Sequence, residues 1–173
     1  MLQMAQLISP ELVKCDWTLS SKKQLLRQAA LEFSAPYPDL NPDDLFECLV
    51  KRERLGSTGI GSGIAIPHCR SSQCKKMVGL FTKLANPIDF DASDDQLVDL
   101  FFILLVPKEN AQVHLEALHT ITECLQDPRN RAKLRRSTSD SELFATLLDI
   151  CSYIKETPKT TETIKPSRMA EAS

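Results

Sequence analysis

Gln96-Leu97-Val98-Asp99-Leu100-Phe101-Phe102-Ile103-Leu104-Leu105-Val106 is the stretch from which the fold is read. From Leu100 onward it is apolar without a break. A strand with one wet face alternates apolar and polar residues, so an unbroken run of this kind signals burial on both faces. The run is far too short to cross a bilayer. Such a strand belongs at the centre of a sheet with helices over both sides. Lys76 to Leu84 reads as a second strand and Ile64-Ala65-Ile66 as a short one. Residues 6–19, broken by Pro10, read as a first strand with turns.

Helical segments surround these strands. Ser21-Lys22-Lys23-Gln24 is a capping box, and Leu25, Leu26, Ala29, Ala30 and Phe33 follow at helical spacing, which gives a helix over 22–34. Asn41 caps a second helix with Pro42 in its first turn; Leu45, Cys48 and Leu49 form its apolar stripe, and it ends near Arg54. Asn110 opens a third helix that runs through Leu125, and Asp127-Pro128 caps a short fourth. Ser139-Asp140-Ser141-Glu142 is another capping box, ahead of Leu143, Phe144, Leu147, Leu148 and Cys151. The expected architecture is an α/β sandwich: a mixed central β-sheet flanked by helices, in a single domain over 1–154. From residue 155 the chain turns to Thr, Lys, Glu, Pro and Ser. It has too little apolar surface to bury, so 155–173 is expected to be a disordered tail.

Composition narrows the function. The net charge of -2 gives no global field for nucleic acid or an anionic membrane. The basic residues Arg129, Arg131, Lys133, Arg135 and Arg136 have no aromatics between them for base stacking and read as a solvated helix face. The N-terminus lacks the charged start and apolar stretch of a signal peptide, which points to the cytoplasm. The six cysteines contain no Cys-x-x-Cys pair, and Cys48, Cys124 and Cys151 fall at helical core spacings. They read as reduced, buried thiols. His68-Cys69 with Cys74 lacks an evident fourth ligand, so no metal is expected, nor any organic cofactor.

Four of the five glycines, Gly56, Gly59, Gly61 and Gly63, crowd into Arg52-Glu53-Arg54-Leu55-Gly56-Ser57-Thr58-Gly59-Ile60-Gly61-Ser62-Gly63-Ile64-Ala65-Ile66-Pro67-His68. Glycine lets backbone amides approach a ligand, and inward-facing amides suit an anion such as phosphate. No lysine follows the glycines, so this is not a Walker A loop; a helix precedes them and a strand follows, the reverse of a dinucleotide fingerprint. A connector without a ligand is the plain alternative. Pro67 stiffens the exit, so His68 has a fixed place beside the loop. A neutral imidazole next to an anion cradle is what reversible histidine phosphorylation needs, and Gly59 and Gly61 are candidate phosphoryl-binding positions. Ser57 and Thr58 either donate hydroxyls to the phosphoryl group or cap the local turn.

The segment Arg52 to His68 resembles the active-site signature of the IIA domains of the bacterial phosphoenolpyruvate-dependent phosphotransferase system, mannitol/fructose class, and most closely the nitrogen-regulatory members. Phe90-Asp91-Ala92, Val98-Asp99-Leu100, Leu104-Leu105-Val106-Pro107 and Val113-His114-Leu115 are similar to family landmarks in the same order, so the resemblance spans roughly Leu7 to Ile150. It implies that His68 accepts a phosphoryl group from a histidine phosphocarrier protein and that regulated protein targets respond to the phosphorylation state. It implies that His114 is a second active-site histidine, bonding the phosphoryl group or orienting His68. The other reading of His114 is a core-edge histidine satisfied by a backbone carbonyl. His119, about 140° further round a regular helix, is assigned to the surface. Arg52 matches the family arginine before the glycine loop and is expected to stabilise the transferring charge; a surface ion pair with Glu53 or Asp44 is the duller possibility. After the histidine the family continues with glycine, where this chain has Cys69; if that site needs a positive φ, the cysteine is strained. Two further functions compete: a sugar-transport IIA subunit passing the phosphoryl group to a IIB domain, and a docking regulator without catalysis.

Overall fold

The computed structural model describes residues 3–156, with side chains through residue 150. The tail expected over 155–173 therefore lies almost wholly outside the described residues. Among the described residues there are six strands and five α-helices: β1 Val13–Trp17, α1 Lys22–Ser34, α2 Pro42–Leu55, β2 Gly59–Gly61, β3 Ile64–Ala65, β4 His68–Ser71, β5 Val78–Ile88, β6 Val98–Pro107, α3 Ala111–Gln126, α4 Pro128–Arg136 and α5 Asp140–Glu156.

The strands make one mixed sheet in the order β1-β5-β6-β3-β2, with β4 also paired to β6. β5 and β6 are antiparallel, whereas β1 runs parallel to β5, and β3 and β4 run parallel to β6. The strand read as central is central. Its side chains alternate between two cores: Phe101, Ile103 and Leu105 pack with α1 and α2, while Leu100, Phe102 and Leu104 pack against α3, α4 and α5. All six are fully buried, at 0% exposure. An unbroken apolar run is the consequence of serving both layers at once.

The expected caps are present, with one regular difference. Ser21 Oγ accepts from the Gln24 amide at 3.2 Å, and Ser139 Oγ accepts from the Glu142 amide at 3.1 Å. The return arms reach one residue further back than a capping box predicts: Gln24 Oε1 binds the amide of Ser20, and Glu142 Oε2 that of Thr138. Asn41 Oδ1 accepts from both Asp43 and Asp44, and Asp127 caps α4 through the Arg129 amide.

The glycine run is not an open loop. β2 and β3 form a hairpin whose two-residue turn is Ser62-Gly63, with φ of 57° and 78°. Two positive φ values in succession are what a tight hairpin turn requires. The basic run is a largely exposed face, as expected, but two of its arginines also tie elements together. Arg135 makes a bidentate pair with Asp99 (2.8 and 2.9 Å) and donates to the Ser62 carbonyl, which ties α4 to the hairpin. Arg131 donates to the terminal carbonyls of α3 at Leu125 and Gln126. A Cβ at Gly63 would overlap Arg135 Nη2 and lie 2.9 Å from Asp99 Oδ1. Gly63→Ala is therefore expected to destabilise the protein by about 2 kcal/mol, from left-handed strain plus the displaced ion pair, read as a lower urea midpoint.

After the hairpin the chain follows β6 in two pieces. Ile64 and Ala65 pair with Leu100 and Phe101; His68 to Ser71 pair with Leu104 to Pro107, in the same register. The gap falls at Ile66-Pro67, because proline has no N–H to give to the ladder. The Pro67 carbonyl still accepts from Leu104 at 2.9 Å, so His68 begins β4 from a backbone held on both sides of the break.

Candidate functional site

Two helices and a strand end meet at His68. Arg52, in the last turn of α2, donates from Nε to His68 Nε2 at 3.3 Å and from Nη1 to the Gly56 carbonyl at 3.0 Å. On the opposite edge of the ring, His68 Nδ1 lies 2.8 Å from the Ile66 carbonyl oxygen. A carbonyl only accepts, so Nδ1 carries the proton and Nε2 holds the lone pair that Arg52 meets. The Ile66-Pro67 break thus does two things. It frees the Ile66 carbonyl from the strand ladder and turns it onto the ring that it orients.

His114, in the first turn of α3, stands edge-on to His68 with ring centroids 5.2 Å apart and planes at 67°. It is 8% exposed, and neither of its ring nitrogens has a hydrogen-bond partner among the described residues. The reading of His114 as a core histidine satisfied by a carbonyl is therefore not what the structure contains. Buried polar atoms without partners are rare and cost about 1–3 kcal/mol each. Beside His68 such an atom is available to hydrogen-bond an incoming ligand.

Both rings are held neutral. Burial pushes the His68 pKa below its ordinary value, and the Arg52 and Arg70 guanidiniums add to this, against the Ile66 hydrogen bond and the Glu53 carboxylate. Burial does the same to His114, with His68, Arg70 and Arg52 behind it. With folded pKa values below the unfolded value of about 6.5, the unfolded chain takes up protons first as pH falls. The stability these rings allow is present above about pH 6.5 and is lost as pH drops through their folded values. Urea midpoints are expected to decline between about pH 7 and pH 5, and to decline less in a His68→Gln, His114→Gln double variant.

The remaining candidates are placed as follows. Ser57 Oγ donates to the Phe90 carbonyl at 2.6 Å and accepts from the Gly59 amide at 3.1 Å. Thr58 Oγ1 donates to Glu53 Oε2 at 2.6 Å, and its amide donates to Glu53 Oε1 at 3.0 Å. Both hydroxyls hold the turn, the second of the two roles open to them. Gly59 is a close-packing site, where a Cβ would come within 2.9 Å of Ala92 Cα, and Gly61 has a φ of +95° at the hairpin. Neither Asp44 nor Glu53 pairs with Arg52: Asp44 accepts from Gln73, and Glu53 pairs with Lys22 at 3.0 Å. His119 is on the surface as expected, paired with Glu123 at 3.1 Å. The strain expected at Cys69 is absent. It lies in extended β4, its φ is not positive, and its side chain is buried at 4% exposure.

Two participants escaped the sequence reading. Glu53 is buried with Lys22 from α1 against it, and this pair fixes Thr58 and hence the path from α2 into the hairpin. A glutamate between two arginines carries no periodic signal of that role. Arg70 follows His68 by two residues in β4, which places the two on one side of the strand. That signal was available once a strand starting at His68 was recognised.

Comparisons with known proteins identify the family and the fold. The family model for the phosphoenolpyruvate-dependent sugar phosphotransferase system, EIIA 2, matches residues 6–150. A nitrogen regulatory protein of Pseudomonas aeruginosa is 39% identical over 150 residues, which cover 87% of this chain and 97% of that one. The crystal structure of nitrogen regulatory protein IIA-Ntr from Neisseria meningitidis superposes with a TM-score of 0.78 at 37% identity, over 83% of this chain and 98% of that one. The enzyme IIAMTL of Escherichia coli, solved in complex with phosphorylated enzyme IIBMTL, shares the fold with a TM-score of 0.67 at 19% identity, over 83% of this chain and 99% of that one.

Proposed function

This chain belongs to the EIIA 2 family of the phosphoenolpyruvate-dependent sugar phosphotransferase system, and on that premise we propose that His68 Nε2 accepts a phosphoryl group from a histidine phosphocarrier protein. The observation that carries the reading is the ring itself: Nδ1–H held by the Ile66 carbonyl, and the lone pair on Nε2 met by the Arg52 guanidinium. In the transfer the Nε2 lone pair forms the new N–P bond as the N–P bond to the donor breaks. Nδ1 keeps its proton, so the phosphorylated ring is cationic and its bond to phosphorus stays labile enough for onward transfer. The Arg52 guanidinium turns from Nε2 to the phosphoryl oxygens, and a His114 ring nitrogen donates to the same group. Glu53, Thr58 and Ser57 position the loop without touching phosphorus.

The role is regulatory: targets distinguish the phosphorylated protein, with its added negative charge, from the unmodified one in the cytoplasm. Nitrogen regulatory relatives along nearly their whole length support this. Passage to a IIB partner is the second reading, motivated by the complex in which IIAMTL was solved. The test is intact-mass spectrometry after mixing with phosphoenolpyruvate, enzyme I and the histidine phosphocarrier. One acid-labile phosphoryl group per chain is expected. An unlabelled chain beside a fully charged carrier would leave docking alone as the function.

A further inference from the structure

We infer that Arg70 is a phosphoryl ligand of this site, an exposed guanidinium on β4 that turns onto the modified His68 and binds the phosphoryl oxygens alongside Arg52. The inference rests on the phosphoryl-acceptor reading of His68 and adds a residue to it.

The sheet fixes the placement. β4 runs beside β6 with His68 paired to Leu104, Cys69 to Leu105 and Arg70 to Val106. Directly paired residues point to the same face of a sheet. Leu104 and Val106 belong to the core under α3, α4 and α5, whereas Leu105 belongs to the core under α1 and α2. Cys69 lies in that second core too, which confirms the alternation along β4. His68 and Arg70 therefore share the face that α3 covers, and it is from α3 that His114 meets the His68 ring. Two residues of strand set the Cα atoms of His68 and Arg70 about 6.6 Å apart, within the length of an arginine side chain.

The guanidinium is uncommitted. Arg70 is exposed, and the side-chain hydrogen bond made at this residue goes to its carbonyl, which accepts from Cys48 Sγ at 3.1 Å. No carboxylate pairs with Arg70 among the described residues, whereas Arg27, Arg129 and Arg135 are each held by an aspartate. Its charge still reaches both histidines and helps to keep them neutral.

The charge balance leaves a place for it. A phosphoryl group brings about two negative charges and three strong acceptor oxygens. Arg52 supplies one positive charge and keeps Nη1 on the Gly56 carbonyl, so only Nε and Nη2 are left for oxygen. Those N–H groups and one His114 nitrogen do not fill the lone pairs of three oxygens. Arg70 comes from the strand and not from α2, so it supplies the second charge without disturbing Arg52. Before modification its charge is solvated; with the phosphoryl group in place the same side chain exchanges water for the anion.

The test compares the full chain with Arg70→Gln and Arg70→Lys, each checked for folding by a urea melt. In the unmodified chain, NMR titration of the imidazoles locates Arg70. His68 and His114 are expected to protonate at higher pH in Arg70→Gln, because a nearby cation is gone, while His119 does not move. Unmoved His68 and His114 would put Arg70 outside the site and overturn the inference. After labelling by the charged phosphocarrier, the phosphorus resonance of the modified chain is followed against pH. The phosphoryl group is expected to take up its proton at higher pH in Arg70→Gln than in the wild type, with Arg70→Lys between them. Single-turnover uptake at saturating carrier is expected to be about 10-fold slower in Arg70→Gln, with partial recovery in Arg70→Lys. A loss confined to subsaturating carrier would make Arg70 a docking residue and overturn the contact with phosphorus oxygens. A wild type that takes no label overturns the His68 reading and this inference with it; a labelled wild type whose phosphorus titration matches that of Arg70→Gln overturns the role of Arg70 alone.

Discussion

His68→Ala is expected to take up no acid-labile phosphoryl group at all, while folding as the wild type does. The loss is complete because no second group can substitute. His114 stands beside His68, but it is buried and would have to leave its place to attack a donor. His119 is at the surface, with Nε2 3.1 Å from Glu123 Oε1. The fold should survive because the ring's own bonds are few: one to the Ile66 carbonyl and one from Arg52. Removing it frees a cation at a partly exposed edge and leaves the register of β4 on β6, which is backbone-made, untouched. Mass spectrometry of the variant with a charged phosphocarrier, paired with a urea melt, checks both halves. Label on the alanine variant would place the acceptor elsewhere.

Arg52→Lys is expected to slow uptake by about 10²-fold with little change in stability, and Arg52→Ala to be at least as slow. The guanidinium uses two separate N–H groups at once, Nε toward His68 and Nη1 toward the Gly56 carbonyl. It can therefore stay anchored to the loop while another N–H follows the phosphoryl oxygens. A lysine ammonium is a point charge and cannot keep both contacts in that geometry. Arg70 supplies charge near both histidines, so the lysine variant tests fork geometry more than net charge. Single-turnover transfer from the charged carrier gives the rate directly. An unchanged rate would reduce Arg52 to a structural cap on the end of α2.

Much of this fold was legible because it follows from local rules. The run Leu100 to Val106 could be read as a doubly covered strand since its only polar-free explanation is two apolar layers. Ser21, Asn41, Asp127 and Ser139 were readable because a helix cap involves residues two or three positions apart. The glycines were the opposite case. Read one by one they suggested an open anion cradle, whereas Ser62-Gly63 closes a hairpin and the Gly59 amide is taken by Ser57. That outcome depends on β6 and Arg135, which come from much further along the chain. Cys69 misled for the same reason. Strain was expected from the family glycine, but pairing with β6 extends the backbone and gives the side chain a place in the core.

The sequence by itself determined the class of fold, its helix limits and the family signature that singles out His68, Arg52 and His114. Those are properties of periodicity, short-range hydrogen bonding and residue order, all carried by neighbours in the chain. Only the tertiary structure decided which nitrogen of His68 carries the lone pair, that both His114 nitrogens lack a partner among the described residues, and that Glu53 and Lys22 brace the loop. Each of these is set by a donor, an acceptor or a low-dielectric wall brought from a distant segment, and a hydrogen bond or a desolvated charge exists only once those segments have met.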